Sequence, residues 1–115
     1  MLITKKTNIA LTRGDSAYIT LVITNGDGSP FELSQGDTVR CQVRSSPTIG
    51  ELLFEGDVSI DDDGVIWHIS PADTKNLSIG EYYWDAELEL SNGDIFSFIP
   101  VSIFEVLDEV TLPAS

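Results

Sequence analysis

The sequence predicts an all-β fold, an antiparallel β-sandwich of about seven short strands with one short helical turn. Three observations carry that expectation. Apolar residues alternate with polar ones along the chain, and helical spacing is nearly absent. β-branched residues dominate the alternating runs, which suits a pleated, half-buried surface. Clusters of Gly, Asn, Asp and Pro separate the runs at short intervals, as the turns of a sandwich require.

The strands are expected at residues 8–12, 16–24, 37–45, 51–60, 65–69, 81–90 and 94–106. In the second, Ile19, Leu21 and Ile23 alternate with Tyr18, Thr20 and Val22. In the third, Val39, Cys41 and Val43 alternate with Arg40, Gln42 and Arg44, the cleanest apolar-in, polar-out pattern in the chain. In the sixth, Trp84, Ala86, Leu88 and Leu90 alternate with Asp85, Glu87 and Glu89, so the acids meet water. These apolar sets are expected to point into one core.

The turns follow from local chemistry. Asn25-Gly26-Asp27-Gly28-Ser29-Pro30 mixes residues that tolerate positive φ with one that stops a ladder. Asp61-Asp62-Asp63-Gly64 reads as a tight connection between two strands. Ser91-Asn92-Gly93-Asp94 is the strongest hairpin signal and pairs 81–90 with the last strand. Ser70-Pro71-Ala72-Asp73 has a cap residue, a proline at the first helical position and an acid in the first turn, so one helical turn is expected there.

The final strand is apolar on both faces. Ile95, Ile99, Val101 and Ile103 form one row, and Phe96, Phe98 and Phe104 another. A two-layer sandwich buries one face of each strand, so part of this set is expected to stay accessible. Phe98, Ile99, Val101 and Ile103 are the expected contact residues of a homo-oligomer. The other possibility is that Pro100 introduces a bulge that switches the faces and buries both rows in succession.

One domain is expected over residues 1–107, with a short tail over 108–115. The chain has 115 residues, 19 acidic against 6 basic side chains and a net charge of -13. That balance speaks against a nucleic-acid partner or an anionic membrane surface. No apolar run approaches the ~20 residues of a membrane span, and no apolar run follows Lys5 and Lys6, as a secretory signal would need.

Candidates for chemistry are few. His68 is the only histidine and lies within a strand opposite in phase to Trp67, where a structural role is expected. Cys41, the only cysteine, sits on the apolar face of its strand and reads as a small hydrophobe. Asp61, Asp63 and Gly64 are in phase with a calcium loop counted from Ser59, but the twelfth position is Ser70 and the flanks are strands. Arg13-Gly14-Asp15 spells an integrin-binding tripeptide and reads as a turn. No metal, no cofactor and no catalysis are expected. The candidate ligand face is Tyr83, Asp85 and Glu87, one side of a strand, where an exposed ring flanked by polar groups could stack a sugar.

The segment Asp73 to Tyr82 mimics a tyrosine corner, in which a tyrosine opens a strand and its hydroxyl bonds backbone upstream. The expected sandwich is therefore immunoglobulin-like. The order of segments carries a further resemblance. Arg13-Gly14-Asp15-Ser16-Ala17-Tyr18, Gly26 to Ser34 and Asp37 to Arg44 are followed by Trp67 to Thr74, Gly80 to Asp85 and Asn92-Gly93-Asp94. This order, over about residues 8 to 107, resembles the N-terminal immunoglobulin-like domains of phage upper baseplate proteins and related small phage and prophage tail proteins. Baseplate proteins continue into linker and receptor-binding regions, so the resemblance implies a stand-alone tail module. It further implies a non-catalytic protein that contacts other tail proteins or itself, in the bacterial cytoplasm during assembly and then in the virion. The alternative is a carbohydrate- or ligand-binding sandwich.

Overall fold

The computed structural model describes residue 2, residues 4–61 and residues 64–109. Eight strands and one helical turn follow in chain order: β1 (Ile9–Thr12), β2 (Ala17–Leu21), β3 (Thr38–Arg44), β4 (Leu52–Phe54), β5 (Asp57–Asp61), β6 (Gly64–Ile69), α1 (Pro71–Thr74), β7 (Gly80–Glu89) and β8 (Ile95–Leu107). They form two sheets, β1-β8-β7-β3-β4 and β2-β6-β5. The chain is all-β, and the two sheets enclose one apolar core.

The alternation in β3 and β7 is realised residue by residue. Val39, Cys41 and Val43 are buried and pair across the ladder with Leu88, Ala86 and Trp84. From the other sheet, Val65, Trp67 and Ile69 of β6 close the core. Trp67 and Trp84 stack across the interior with ring centroids 4.9 Å apart, and Phe104 meets Trp67 edge-on. Rings of this size, buried from both layers, contribute heavily to a core of this kind. Ile19 and Leu90, expected in the core, are only half-buried. Ile19 lies on an edge strand, and Leu90 sits where the β7–β8 hairpin turns outward.

Four features depart from the sequence-based expectation. The run 51–60 is two strands, because the chain leaves β4 at Glu55-Gly56 and enters β5 in the opposite sheet. That raises the strand number from seven to eight. The second strand ends at Leu21, and Ile23 and Asn25 bond instead to the turn at Ser29–Phe31. The ladder is not purely antiparallel, since β1 runs parallel to β8 with Ile9 opposite Phe104. Three bonds hold that entry in place: Thr7 N–H to the Ser102 hydroxyl (2.9 Å), the Trp84 indole N–H to the Thr7 carbonyl (2.8 Å) and Ile103 N–H to the Asn8 side-chain oxygen (3.0 Å).

The last departure concerns the expected contact residues. Leu88 faces Phe96, Ala86 faces Ile99 and Trp84 faces Ser102, so β8 spends three residues for each two of β7, twice in succession. Two extra residues flanking Pro100 shift which side chains point inward, as bulges do. Phe98 and Ile99 consequently turn inward, at 2% and 6% exposure, which takes them off the outer face of the sheet. Val101 remains 39% exposed and Ile103 half-exposed on the outer face.

The helical turn forms as expected. Ser70 N–H donates to the Asp73 carboxylate at 2.8 Å, and Pro71 opens α1. The buried Thr74 hydroxyl accepts the Gly14 N–H at 2.8 Å, while Arg13 donates to the Leu77 carbonyl and pairs with Glu109 at 3.2 Å. The Arg13-Gly14-Asp15 tripeptide is thus tied into the β1–β2 turn. Of the expected tight turn at 61–64, residues 62 and 63 lie outside the described residues, as do residues 110–115 of the tail.

Candidate functional site

The outer face of the five-stranded sheet carries the candidate side chains, and the ladder divides them. Glu87 lies opposite Arg40 on β3, which pairs with it at 3.3 Å and reaches Glu55 at 3.9 Å. Gln42 donates to Glu55 at 3.2 Å, and Arg44 donates to the Gln42 oxygen at 2.8 Å and the Gly50 carbonyl at 3.1 Å. Glu87 therefore belongs to a polar ladder that runs across β3. Its ion pairs are solvent-exposed and contribute at most about 1 kcal/mol each.

Tyr83 and Asp85 lie opposite Arg44 and Gln42, at one end of that ladder. They line a cleft of about 140 Å³ with Gln42, Arg44, Pro47 and Val101. Tyr83, Pro47 and Val101 also line an adjoining groove of about 590 Å³, which continues over Pro100 and Ile103 to Lys6. The Tyr83 ring is thus the shared wall of two openings, one bordered by a guanidinium and a carboxylate and the other by an ammonium. The β3–β4 loop and the β8 bulge build the rest of the walls. Alternation along β7 made Tyr83, Asp85 and Glu87 legible in the sequence. Arg44 comes from β3, directly opposite Tyr83, whereas Pro47 and Lys6 were not legible, because the β3–β4 loop and the N-terminal crossing bring them there.

Partial burial holds the Asp85 carboxyl above the usual carboxylate range, and the Glu87 charge adds to the effect, against Arg44 and Arg40. An acid whose folded pKa is raised favours the folded state below its unfolded pKa, and that advantage is lost as pH rises through the folded value. Ionised Asp85 is therefore a cost at neutral pH. Asp85→Asn is expected to raise the melting temperature near pH 7, and the gain should vanish as the pH falls below about 4. Thermal melts of both proteins across that range check the sign. A variant less stable than the parent at neutral pH would contradict the reading.

The remaining candidates sit elsewhere. Burial pushes the Cys41 thiol up to about 12, with the Asp85 charge second, so it stays protonated and unreactive at neutral pH. His68 stacks on Tyr18 with centroids 4.4 Å apart on the outer face of the three-stranded sheet, across the sandwich from the cleft. Among the described residues no three His, Cys, Asp or Glu side chains gather as a metal site would need, and no helix is long and apolar enough to cross a membrane. No protein-family model matches the chain, and no curated protein matches it either.

Proposed function

We propose that this chain is an immunoglobulin-like, non-catalytic module of a phage or prophage tail that acts through contacts with other tail proteins or with copies of itself. The observation that carries the reading is the strand order. An immunoglobulin sandwich sets B, E and D in one sheet against C, F and G in the other, with C′ added beside C in variable-type domains. The order β2-β6-β5 opposite β8-β7-β3-β4 supports that assignment strand for strand. The corner supports it too: the Tyr82 hydroxyl donates to the Ser78 carbonyl at 2.7 Å, four residues upstream and just ahead of the strand that would be F. The order of segments, which resembles that of tail proteins, supports the setting. Val101 and Ile103 remain as outer-face contacts on β8.

Mass spectrometry of particles purified from the source bacterium after prophage induction tests this. The chain is expected in the particles, in fixed ratio to the other tail proteins. Its absence from particles while present in the cell extract overturns the proposal, as does turnover of an ester, glycoside or phosphoester by the purified protein.

A second reading, a glycan-binding sandwich, draws on the Tyr83 cleft. An aromatic wall beside Arg44 and Asp85 offers a stacking face with donors and an acceptor next to it. Binding on a glycan array that disappears in Tyr83→Ala would favour this reading, and a blank array would remove it.

A further inference from the structure

We infer that the open edge of β2 is a self-association surface, on which a second copy of this chain pairs antiparallel through its own β2. Strand β2 ends the three-stranded sheet, bonded to β6 on one side only. Among the described residues its other side pairs with no strand, and the isolated bridges nearby, Leu2 to Asn25 and Thr24 to Pro30, lie beyond its end. Exposed edges are usually blunted by charge, proline, a bulge or brevity. The other edges carry such devices: β4 has three residues and a shifted register, β5 has Asp57 and Asp61, and β1 has only four residues. Strand β2 reads Ala-Tyr-Ile-Thr-Leu, uncharged, and pairs with β6 in unbroken register.

Self-pairing is favoured over other occupants by two features. The first is charge. A groove of about 450 Å³ runs beside the upper part of β2, lined by Lys5, Lys6, Leu21, Val22, Phe98 and Ile99 among others, with no carboxylate among its lining. Lys5 and Lys6 form no ion pair among the described residues. Asp15 is exposed just before the other end of β2. An antiparallel partner centred on Ile19 sets Asp15 of the second copy level with Ile23, beside the lysines, and the two-fold axis repeats the pair. The second feature is the side chains. Tyr18 and Val22 are each 72% exposed, and both belong to the outer face of this edge. The same pairing lays Tyr18 against Thr20 of the second copy and Val22 against Ser16. Aromatic and β-branched residues thereby meet small or β-branched partners across the new ladder.

Sedimentation over a wide concentration range, on the full chain, decides the matter. A monomer–dimer equilibrium is expected, with β2 amide exchange slowing as concentration rises. Thr20→Lys, at an exposed position that leaves the monomer fold intact by circular dichroism, should weaken dimerisation at least tenfold by placing two lysines close across the axis. Lys6→Glu and Asp15→Lys should each weaken it several-fold, and the double variant should restore it. Monomer at every concentration, or a dimer indifferent to Thr20→Lys, overturns the inference. If instead Val101→Asp on β8 abolishes the dimer while Thr20→Lys spares it, association runs through β8. The β2 surface is then excluded while the tail reading stands.

Discussion

Trp67→Ala is expected to remove most of the stability of the fold. The side chain is fully buried on the middle strand of the smaller sheet and is where the two layers meet. It stacks on Trp84 from β7, packs against Phe54 and Phe104, and its indole N–H donates to the Glu55 carbonyl at 2.8 Å. Truncating a buried tryptophan costs about 3–5 kcal/mol in transfer and cavity energy. The ring pairs contribute about 0.5–1.5 kcal/mol beyond their area. The Glu55 carbonyl would also lose its donor. Against a total of about 5–15 kcal/mol, a loss of this size leaves a protein that is marginal or unfolded at room temperature. Trp67→Phe keeps a ring in the stack and gives up the hydrogen bond, so a smaller loss of about 1–3 kcal/mol is expected. Urea unfolding followed by the fluorescence of Trp84, the other tryptophan, measures both. A Trp67→Ala unfolding free energy within about 1 kcal/mol of the parent would contradict this account of the core.

The elements that were legible in the sequence are those where one period governs the whole strand. Val39, Cys41 and Val43, and Trp84, Ala86 and Leu88, lie on central strands with one face buried, so each apolar position maps to the core. Where a strand changes partner or phase, alternation misleads. Phe54 and Val58 are both inward and four residues apart, so no slip in phase marks the passage from one sheet to the other. Only Gly56 signalled it. In β8 the two extra residues put Phe98 and Ile99 side by side in the core, which no fixed period can describe. Pro100 was the visible cue, since a residue without an N–H is excluded from a regular central ladder. The parallel partner of β1 was invisible, because anchors far along the chain, Ser102 and Trp84, set it.

The same distinction separates the two surfaces. The pairing of Arg40 with Glu87 follows from neighbouring strands in register, and β3 and β7 were both read as strands, while Glu55 joins the ladder from the passage after β4. The groove that adjoins the Tyr83 cleft and the groove beside β2 both depend on residues 5–8, which cross from one sheet toward the other. Lys6 lines both openings. A short crossing segment thus supplies charge to two faces of an otherwise acidic protein.

The passage at Gly56 predicts the second large effect, in Gly56→Ala. Gly56 adopts φ +66°, a conformation that costs a residue with a side chain about 1–3 kcal/mol. An added Cβ would lie 2.7 Å from the His68 carbonyl oxygen and 2.7 Å from the Trp67 indole nitrogen. Neither neighbour can retreat easily. His68 is paired on both sides, with Tyr18 and with Asp57, and the indole is packed in the core. Relief would come from pushing the indole off the Glu55 carbonyl, which adds about 1–3 kcal/mol for the broken bond. A total loss of about 3 kcal/mol or more is expected. Gly93→Ala separates the two contributions: its φ is +96°, but nothing lies within 4 Å of the added Cβ, so it should lose only the backbone part, about 1–2 kcal/mol. Glu55, the neighbour of Gly56, also receives Gln42 and Arg40 on the outer face, so movement at the passage should loosen that ladder. Chemical unfolding of the two alanine variants side by side gives the comparison. Equal losses would mean that the contacts at Gly56 carry no cost and that the passage between sheets tolerates a side chain.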